Sequence, residues 1–343
     1  MRAATYNGPG AVGVSQVAGR EPAPGEVQIA VAYTGICGTD VHIFHGAMDG
    51  RVKPPAIIGH ECSGTVAAVG PGVSDWSVGD PVTVLPVKSC GACRACLAGY
   101  GHICPQLVFL GIDAPGSMQN RWNVPAELLV RLPRDMNLEH AALVEPTAVA
   151  VHDVRRSGLS AGQRAVVVGG GPVGVLIALV ARSTGADVSV VELDPTRREL
   201  VSKLGLRAID PADDVTARVG ELTSGDGADV AFEVSGAQDG VATAVDVLGV
   251  RGKLVMVAIH TTPREVNLHR FFWRELEMLG ARLYERRDFE VAVNQIATGQ
   301  VPAADLITGV FPLVEAGSSF AELARGGAMK ILVDCTDAGN GVA

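Results

Sequence analysis

The chain lacks a basic surface, an aromatic-rich stretch and an apolar run of membrane length. Its 343 residues carry 28 Lys+Arg against 37 Asp+Glu, for a formal net charge of −9 and a pI near 5.4. Phosphate binding needs positive charge, so this balance argues against nucleic acid or an anionic membrane as the main partner. The basic doublets Arg155-Arg156 and Arg286-Arg287 never grow into a patch. Aromatic residues make up 4%, too few for a base-stacking surface. The apolar run Ala165 to Ala181 covers 17 residues and is interrupted by Gly169-Gly170-Gly171-Pro172; a bilayer span needs ~20. Met1 to Gly10 shows no basic start followed by an apolar core, so no signal peptide is expected and the chain reads as cytoplasmic.

What is present points to a globular, two-domain protein. At roughly 150 residues per domain the length predicts about two. Hydrophobic residues at 48% and charged residues at 19% favour a large buried core over disorder. The 42 glycines exceed the average share of about 7%, so many positions need tight turns or close backbone approach. Seven cysteines, four of them in one cluster, suggest metal binding more than disulfides in a reducing compartment.

The first half reads as β-rich. Val27, Ile29, Val31 and Tyr33 alternate as in a half-buried strand, and Ser63–Val69 and Asp80–Leu85 are further short β-branched runs. From about Ala165 to Arg282 the pattern alternates between apolar strands and helical segments. The predicted strands are Ala165–Val168, Val188–Val191, Ala208–Ile209, Asp229–Val234, Lys253–Ala258 and Leu276–Ala281, which implies a doubly wound parallel sheet covered on both faces. The tail, with a helix predicted over Asp288–Ala297 and a strand over Lys330–Val333, has too few strands for its own sheet and is expected to return to the first domain. The expected boundaries are 1–153, with a metal lobe at 88–106, then 154–286, then 287–343.

Ala165-Val166-Val167-Val168 leads into Gly169-Gly170-Gly171-Pro172-Val173-Gly174 and an apolar helix. This is G-x-G-x-x-G between strand and helix, the context that makes it a dinucleotide site. Gly169 permits the turn, Gly171 the approach of a pyrophosphate, and Gly174 the packing of helix on strand. Pro172 and Val173 open the helix, whose free N–H groups face the phosphates. Glu192 lies 21 residues after Gly171, at the end of the next strand. A carboxylate there can bond both ribose hydroxyls of NAD and would repel the 2′-phosphate of NADP. Arg197 is the counter-signal, since a guanidinium could accept that phosphate; its plainer role is in the first turn of a helix capped by Asp194 and started by Pro195. NAD is favoured over NADP.

Two metal sites are expected. Cys90, Cys93, Cys96 and Cys104 follow C-x2-C-x2-C-x7-C, and four thiolates converging on Zn²⁺ leave no open position, so this site would be structural. A ferredoxin-type iron–sulfur run would place three residues before its last cysteine, not seven. The second group is Cys37 in Cys37-Gly38-Thr39-Asp40-Val41-His42, then His60 and Glu61, with Glu145 before Pro146. Cys, His and Glu with a water in the remaining place form the open, catalytic kind of zinc site. Singly, each has a bland alternative in core packing or surface charge; beside a dinucleotide fold, the combination points to chemistry.

Across essentially its whole length the chain resembles the zinc-dependent medium-chain dehydrogenases, especially the polyol, butanediol and threonine dehydrogenases. The resemblance implies a GroES-like catalytic domain built from both chain ends around a Rossmann domain, two zincs per chain, and a dimer or tetramer. It assigns Cys37, His60, Glu145 and the exchangeable Glu61 to the catalytic zinc and leaves open which glutamate ligates directly. It implies that zinc makes an alkoxide accessible near neutral pH and that the alkoxide carbon gives a hydride to nicotinamide. It also implies that Thr39 takes the proton and passes it through the cofactor ribose to His42, rather than to the neighbouring His45, while Asp40 orients a zinc-bound histidine. The family's Phe-Ala-Glu-Tyr-like segment is replaced here by Ser117-Met118-Gln119-Asn120-Arg121-Trp122, so the substrate is expected to differ from that of the commonest members. Phe44, Met118 and Trp122 are candidates either for the pocket wall or for ordinary packing. Glu145-Pro146, where threonine dehydrogenases usually carry Asp-Pro, tilts the expectation toward a secondary alcohol of a polyol or vicinal diol. The alternatives are a threonine- or amino-alcohol dehydrogenase and, from another class, a non-catalytic NAD-binding protein; a zinc-free quinone reductase is disfavoured because it would lack both cysteine sites.

Overall fold

The computed structural model describes residues 1–324 and 326–336. Its contacts divide the chain into two units. One comprises Met1–Glu145 with the chain from Glu285 onward; the other is Pro146–Tyr284. The sequence pattern puts the corresponding breaks at 153/154 and 286/287, whereas the contacts place the first inside the helix Val144–Ser157.

The first unit is built on a seven-stranded sheet. Its path runs through Leu129–Arg131, Pro81–Val84, Glu61–Val69, Glu26–Gly35, Lys330–Asp334 and Ile307–Pro312, with Arg121–Pro125 also pairing to Glu26–Gly35. Two tail strands therefore join the sheet formed by the first half of the chain, where one was expected. The register matters for the site: Gly35 lies opposite Glu61 on one side and Leu332 on the other. A second sheet joins Ala11–Gln16, Arg2–Gly8 and Ala56–Ile57. The inward faces of these strands supply a core that includes Ile29, Val31, Val66, Val82, Leu129 and Ile331.

The second unit is a six-stranded parallel sheet in the order Arg207–Ile209, Asp187–Val191, Arg164–Val168, Ala228–Glu233, Leu248–Met256, Glu277–Gly280. Strand order reverses at Arg164–Val168, the first strand of this unit, as in a dinucleotide-binding fold. All six expected strands are present. The fifth begins at Leu248 rather than Lys253, with a register break after Ala228 in its pairing. The exposed Val250 and Arg251 in that stretch hide the strand from a pattern search. The helix Pro172–Ser183 is buried continuously from Gly174 to Ala181, which explains its lack of a polar face.

A candidate zinc site, a cysteine lobe and a dinucleotide turn

Cys37 precedes the short helix Gly38–Phe44, and His60 and Glu61 lie at the start of the strand Glu61–Val69. One ligand atom from each of these three comes within 4.8 Å of the others. Asp40, fully buried, ties the two segments together: its carboxylate accepts from the Cys37 N–H at 3.0 Å and the Gly59 N–H at 3.2 Å. Its nearest oxygen is 3.8 Å from His60 Nδ1, too long for a hydrogen bond, so Asp40 fixes the backbones that carry the donors more directly than it orients the imidazole. His60 packs edge-on against Phe109, and among the described residues its buried Nδ1 has no hydrogen-bond partner.

The electrostatics call for a cation. Burial alone would depress the pKa of His60, but Asp40, Cys37 and Glu145 together raise it well above the usual histidine value. Burial in turn pushes the Asp40 carboxyl up, opposed by His60 and the two N–H groups. A proton is thus drawn to the place where a divalent ion would satisfy the same negative groups. An orphaned imidazole nitrogen beside a thiol and a carboxylate is a donor set that fits zinc.

Lys330 is the residue the sequence reading misses. Its buried ammonium donates to both oxygens of Glu61, at 2.9 and 2.8 Å, and to the Ile36 carbonyl at 3.3 Å. Burial alone would lower the lysine pKa, yet Glu61, with Cys37 and Glu145 behind it, holds it above the ordinary value. Space for the Glu61 carboxylate exists only because position 35 is glycine: a Cβ there would lie 2.1 Å from Oε2. Glu145, in the first turn of Val144–Ser157, is buried and close enough to act on His60 and Lys330 electrostatically. It does not belong to the group of three convergent donors.

The remaining expected residues separate. Thr39 is half-buried, and His42 and His45 are exposed. Met118 and Trp122 belong to the hydrophobic core, the indole N–H donating to the Pro115 carbonyl at 2.9 Å. Phe44 stacks on Phe320 with centroids 5.1 Å apart. These three therefore act in packing.

The four-cysteine lobe stands on the short ladder of Val87–Lys88 with Val108–Phe109. Sulfur separations are 3.9 Å for Cys90–Cys96, 3.5 Å for Cys93–Cys96 and 3.8 Å for Cys93–Cys104. A tetrahedral ion with Zn–S bonds of about 2.3 Å requires edges of about 3.8 Å, whereas a disulfide requires about 2.05 Å. Backbone N–H groups of Ala92 and Cys93 pull the Cys90 thiol down to about 6, toward the thiolate that binds metal.

In the second unit, Gly174 is forced by close approach, since a Cβ would fall 1.8 Å from the Gly169 carbonyl oxygen. Gly171 is open on its far side, with only the Arg197 guanidinium within 4 Å of a hypothetical Cβ; Pro172 and Val173 begin the helix beside it. The buried Glu192, expected to bond the ribose hydroxyls, here accepts from the Gly170 N–H at 2.6 Å and the Asp194 N–H at 2.7 Å, so it also braces the glycine turn. Asp194 caps the following helix through the Arg197 N–H at 2.9 Å, and the Arg197 Nε is buried without a partner among the described residues. An open glycine turn, a carboxylate at the next strand end and free helix N–H groups fit a dinucleotide.

Comparison with known proteins agrees with both halves. Residues 23–134 match the model of the alcohol dehydrogenase GroES-like domain, and residues 172–298 match that of the zinc-binding dehydrogenases. The chain is 48% identical to 2-dehydro-3-deoxy-L-galactonate 5-dehydrogenase of Pseudoalteromonas atlantica, over 98% of this chain and 99% of that protein. It is 36% identical to a probable D-xylulose reductase A of Aspergillus clavatus, over 90% and 89% of the two chains. The crystal structure of 2R,3R-butanediol dehydrogenase from Bacillus subtilis superposes with a TM-score of 0.91 at 32% identity, covering 97% of this chain and 99% of that one.

Proposed function

This chain belongs to the zinc-dependent medium-chain alcohol dehydrogenases, and we propose that within that family it oxidises a secondary hydroxyl of a deoxy-sugar acid, using NAD. That it is a polyol- or diol-type oxidoreductase needing zinc and a nicotinamide cofactor follows from its full-length relatives. The sugar-acid reading is supported by the 48% identity to an enzyme named for C5 of 2-dehydro-3-deoxy-L-galactonate. That carbon bears a secondary alcohol flanked by hydroxylated carbons, a vicinal diol in an acid.

The observation that carries the chemistry is the convergence of Cys37, His60 and Glu61 on one point. When bound, zinc there supplies the Lewis acidity that acidifies an alcohol, and nicotinamide supplies the hydride acceptor. Cys37 and His60 hold the ion, and Glu61 adds the carboxylate while Lys330 offsets its charge. Glu145 stands by as the second carboxylate. Asp40 keeps the Cys37 and His60 backbones at fixed separation. Thr39 and His42, three residues apart and so on one face of the helix Gly38–Phe44, carry the substrate proton toward solvent. Cys90, Cys93, Cys96 and Cys104 hold a second, structural zinc. Gly171 leaves room for the pyrophosphate on a turn shaped by Gly169 and closed against the helix by Gly174, and Glu192 favours NAD over NADP by facing the adenosine ribose.

Two further parts of the reading rest on surface and thiols. No described helix is long and apolar enough to cross a membrane. The seven cysteines are all unpaired, which supports a reducing cytoplasm. The edge strand Glu277–Gly280 and the exposed Leu268, Phe272, Trp273 and Met278 beside it support a homo-oligomer.

The test is a substrate panel on zinc-replete protein, read by NADH absorbance. Turnover on 2-dehydro-3-deoxy sugar acids well above that on xylitol, butanediol or threonine is the expected result. Preference for threonine would replace this reading with the amino-alcohol one.

A further inference from the structure

Glu233 is used by none of the chemistry above, although it is wholly buried at the carboxyl end of the strand Ala228–Glu233. It pairs in register with Val168, the last residue of the first strand of the parallel sheet. Those two strand ends flank the point where strand order reverses, and ligands of open α/β sheets settle in the crevice outside such ends. Glu192 marks the mononucleotide half on the Asp187–Val191 side. The other half of a dinucleotide must therefore fall on the side of Glu233 and of Met256, the end of Leu248–Met256.

There Glu233 is the hub of a closed network. Its Oε1 accepts from the Ser235 N–H at 2.9 Å, the Ser235 hydroxyl at 2.5 Å and the Gly236 N–H at 2.9 Å. Its carbonyl accepts from the N–H groups of Val257 and Ala258, at 3.0 and 3.1 Å. Its Oε2 is 3.0 Å from His260 Nε2, and Arg264 Nε–H donates to His260 Nδ1 at 3.3 Å. Arginine can only donate and a carboxylate only accept, so the imidazole carries its hydrogen on Nε2 and the relay runs one way. Arg264 Nη2 then closes the ring on the Gly236 carbonyl at 2.8 Å.

The network staples the loop 234–237 to the loop 257–264. The first of these lies against the dinucleotide turn: a Cβ on Gly169 would be 3.0 Å from the Ser235 nitrogen. The second holds Ile259 outward, 82% exposed, next to a histidine whose side chain is only 15% exposed. An apolar side chain left exposed just beyond the end of Leu248–Met256, on a loop anchored to the buried Glu233, suits the face of a flat aromatic ring.

We propose that Glu233, His260 and Arg264 are positioning residues that hold these two loops for the redox half of the dinucleotide, a role that rests on the dinucleotide reading above. They act through the loops and touch no reacting atom.

The test compares two ligands on the zinc-loaded full chain: NADH, and ADP-ribose, which lacks the nicotinamide. His260→Ala should raise the Kd for NADH about tenfold, the scale expected when a preorganised loop is released, while ADP-ribose binding stays near wild type. His260→Gln, whose amide can still donate to Glu233, should recover most of the NADH affinity. Arg264→Met, at the partly exposed end of the relay, should show the same selective loss and serves if His260→Ala does not fold. Equal weakening of both ligands, or unchanged NADH affinity in both variants, overturns the proposal. A wild-type protein that binds neither ligand overturns the dinucleotide reading and this proposal together.

Discussion

Replacing Lys330 with methionine removes the ammonium that sits on both oxygens of Glu61 and leaves the side-chain volume nearly intact. Lys330 is 4% exposed and Glu61 1%, so water cannot replace the lost partner. Breaking a buried ion pair in this way costs about 3–5 kcal/mol, because the surviving charge is stranded. For a chain of this size that corresponds to a melting shift on the order of 10 °C. If Glu61 faces zinc, the cost depends on the metal: the ion compensates the carboxylate that Lys330 no longer does. Thermal unfolding of wild type, Lys330→Met and the charge-preserving Lys330→Arg, each zinc-loaded and chelator-treated, measures this. Chelation should remove the zinc proposed for the cysteine lobe in every variant alike, so the difference between variants reports on Glu61. The methionine variant should lose most of its stability in the chelated state and less than half as much when loaded, with the arginine variant in between. Equal losses in both states, or none, would refute the placing of Glu61 beside the metal.

Four other outcomes follow from the same geometry. Gly35→Ala puts a methyl 2.1 Å from Glu61 Oε2, so zinc content should fall from two per chain toward one and turnover by roughly 100-fold, as when a metal ligand loses its support. Cys93→Ser should remove the other zinc and lower the melting temperature while turnover at low temperature persists; unchanged melting would argue against a structural ion. Glu192→Ala should cut the preference for NAD over NADP in kcat/KM by about tenfold or more, since it removes both the ribose partner and the repulsion of a 2′-phosphate. Asp80 is held below the usual carboxylate range by hydrogen bonds from Arg131 and the Ser77 N–H. Its contribution is therefore present above the unfolded value of about 4 and is lost as pH falls through the depressed one. Asp80→Asn should lower stability at neutral pH and flatten that acid limb in a melting-temperature series.

The donors were legible because each lies in a local pattern. Cys90 to Cys104 share one short lobe, the glycines of 169–174 sit between a strand and a helix, and His60 and Glu61 are adjacent. Lys330 has no such pattern. It lies 269 residues from Glu61 and meets it only because the Lys330–Asp334 and Glu61–Val69 strands flank Glu26–Gly35 in one sheet. The strand Ile307–Pro312 escaped for a related reason: its half-exposed residues and Gly309 show no clean alternation. Asp40 was recognised as a supporting residue, but its main bonds go to two backbone N–H groups, which side-chain identity alone does not reveal. Glu233 had a usable signal, an acidic residue ending a strand of the parallel sheet. Its partners His260 and Arg264 lie in a loop without one. For Met118 and Trp122 the sequence leaves pocket wall and packing open, because a large apolar residue near a site suits both; their place in the core decides for packing.

The most direct test is anomalous diffraction at the zinc edge from crystals of the zinc-replete enzyme. Two peaks per chain are expected. One should lie about 2.0–2.3 Å from Cys37 Sγ, a His60 nitrogen and a glutamate oxygen, and the other within about 2.3 Å of the four lobe sulfurs. A fully occupied lobe with no peak between Cys37 and His60, in crystals of protein that turns over substrate, would contradict the account.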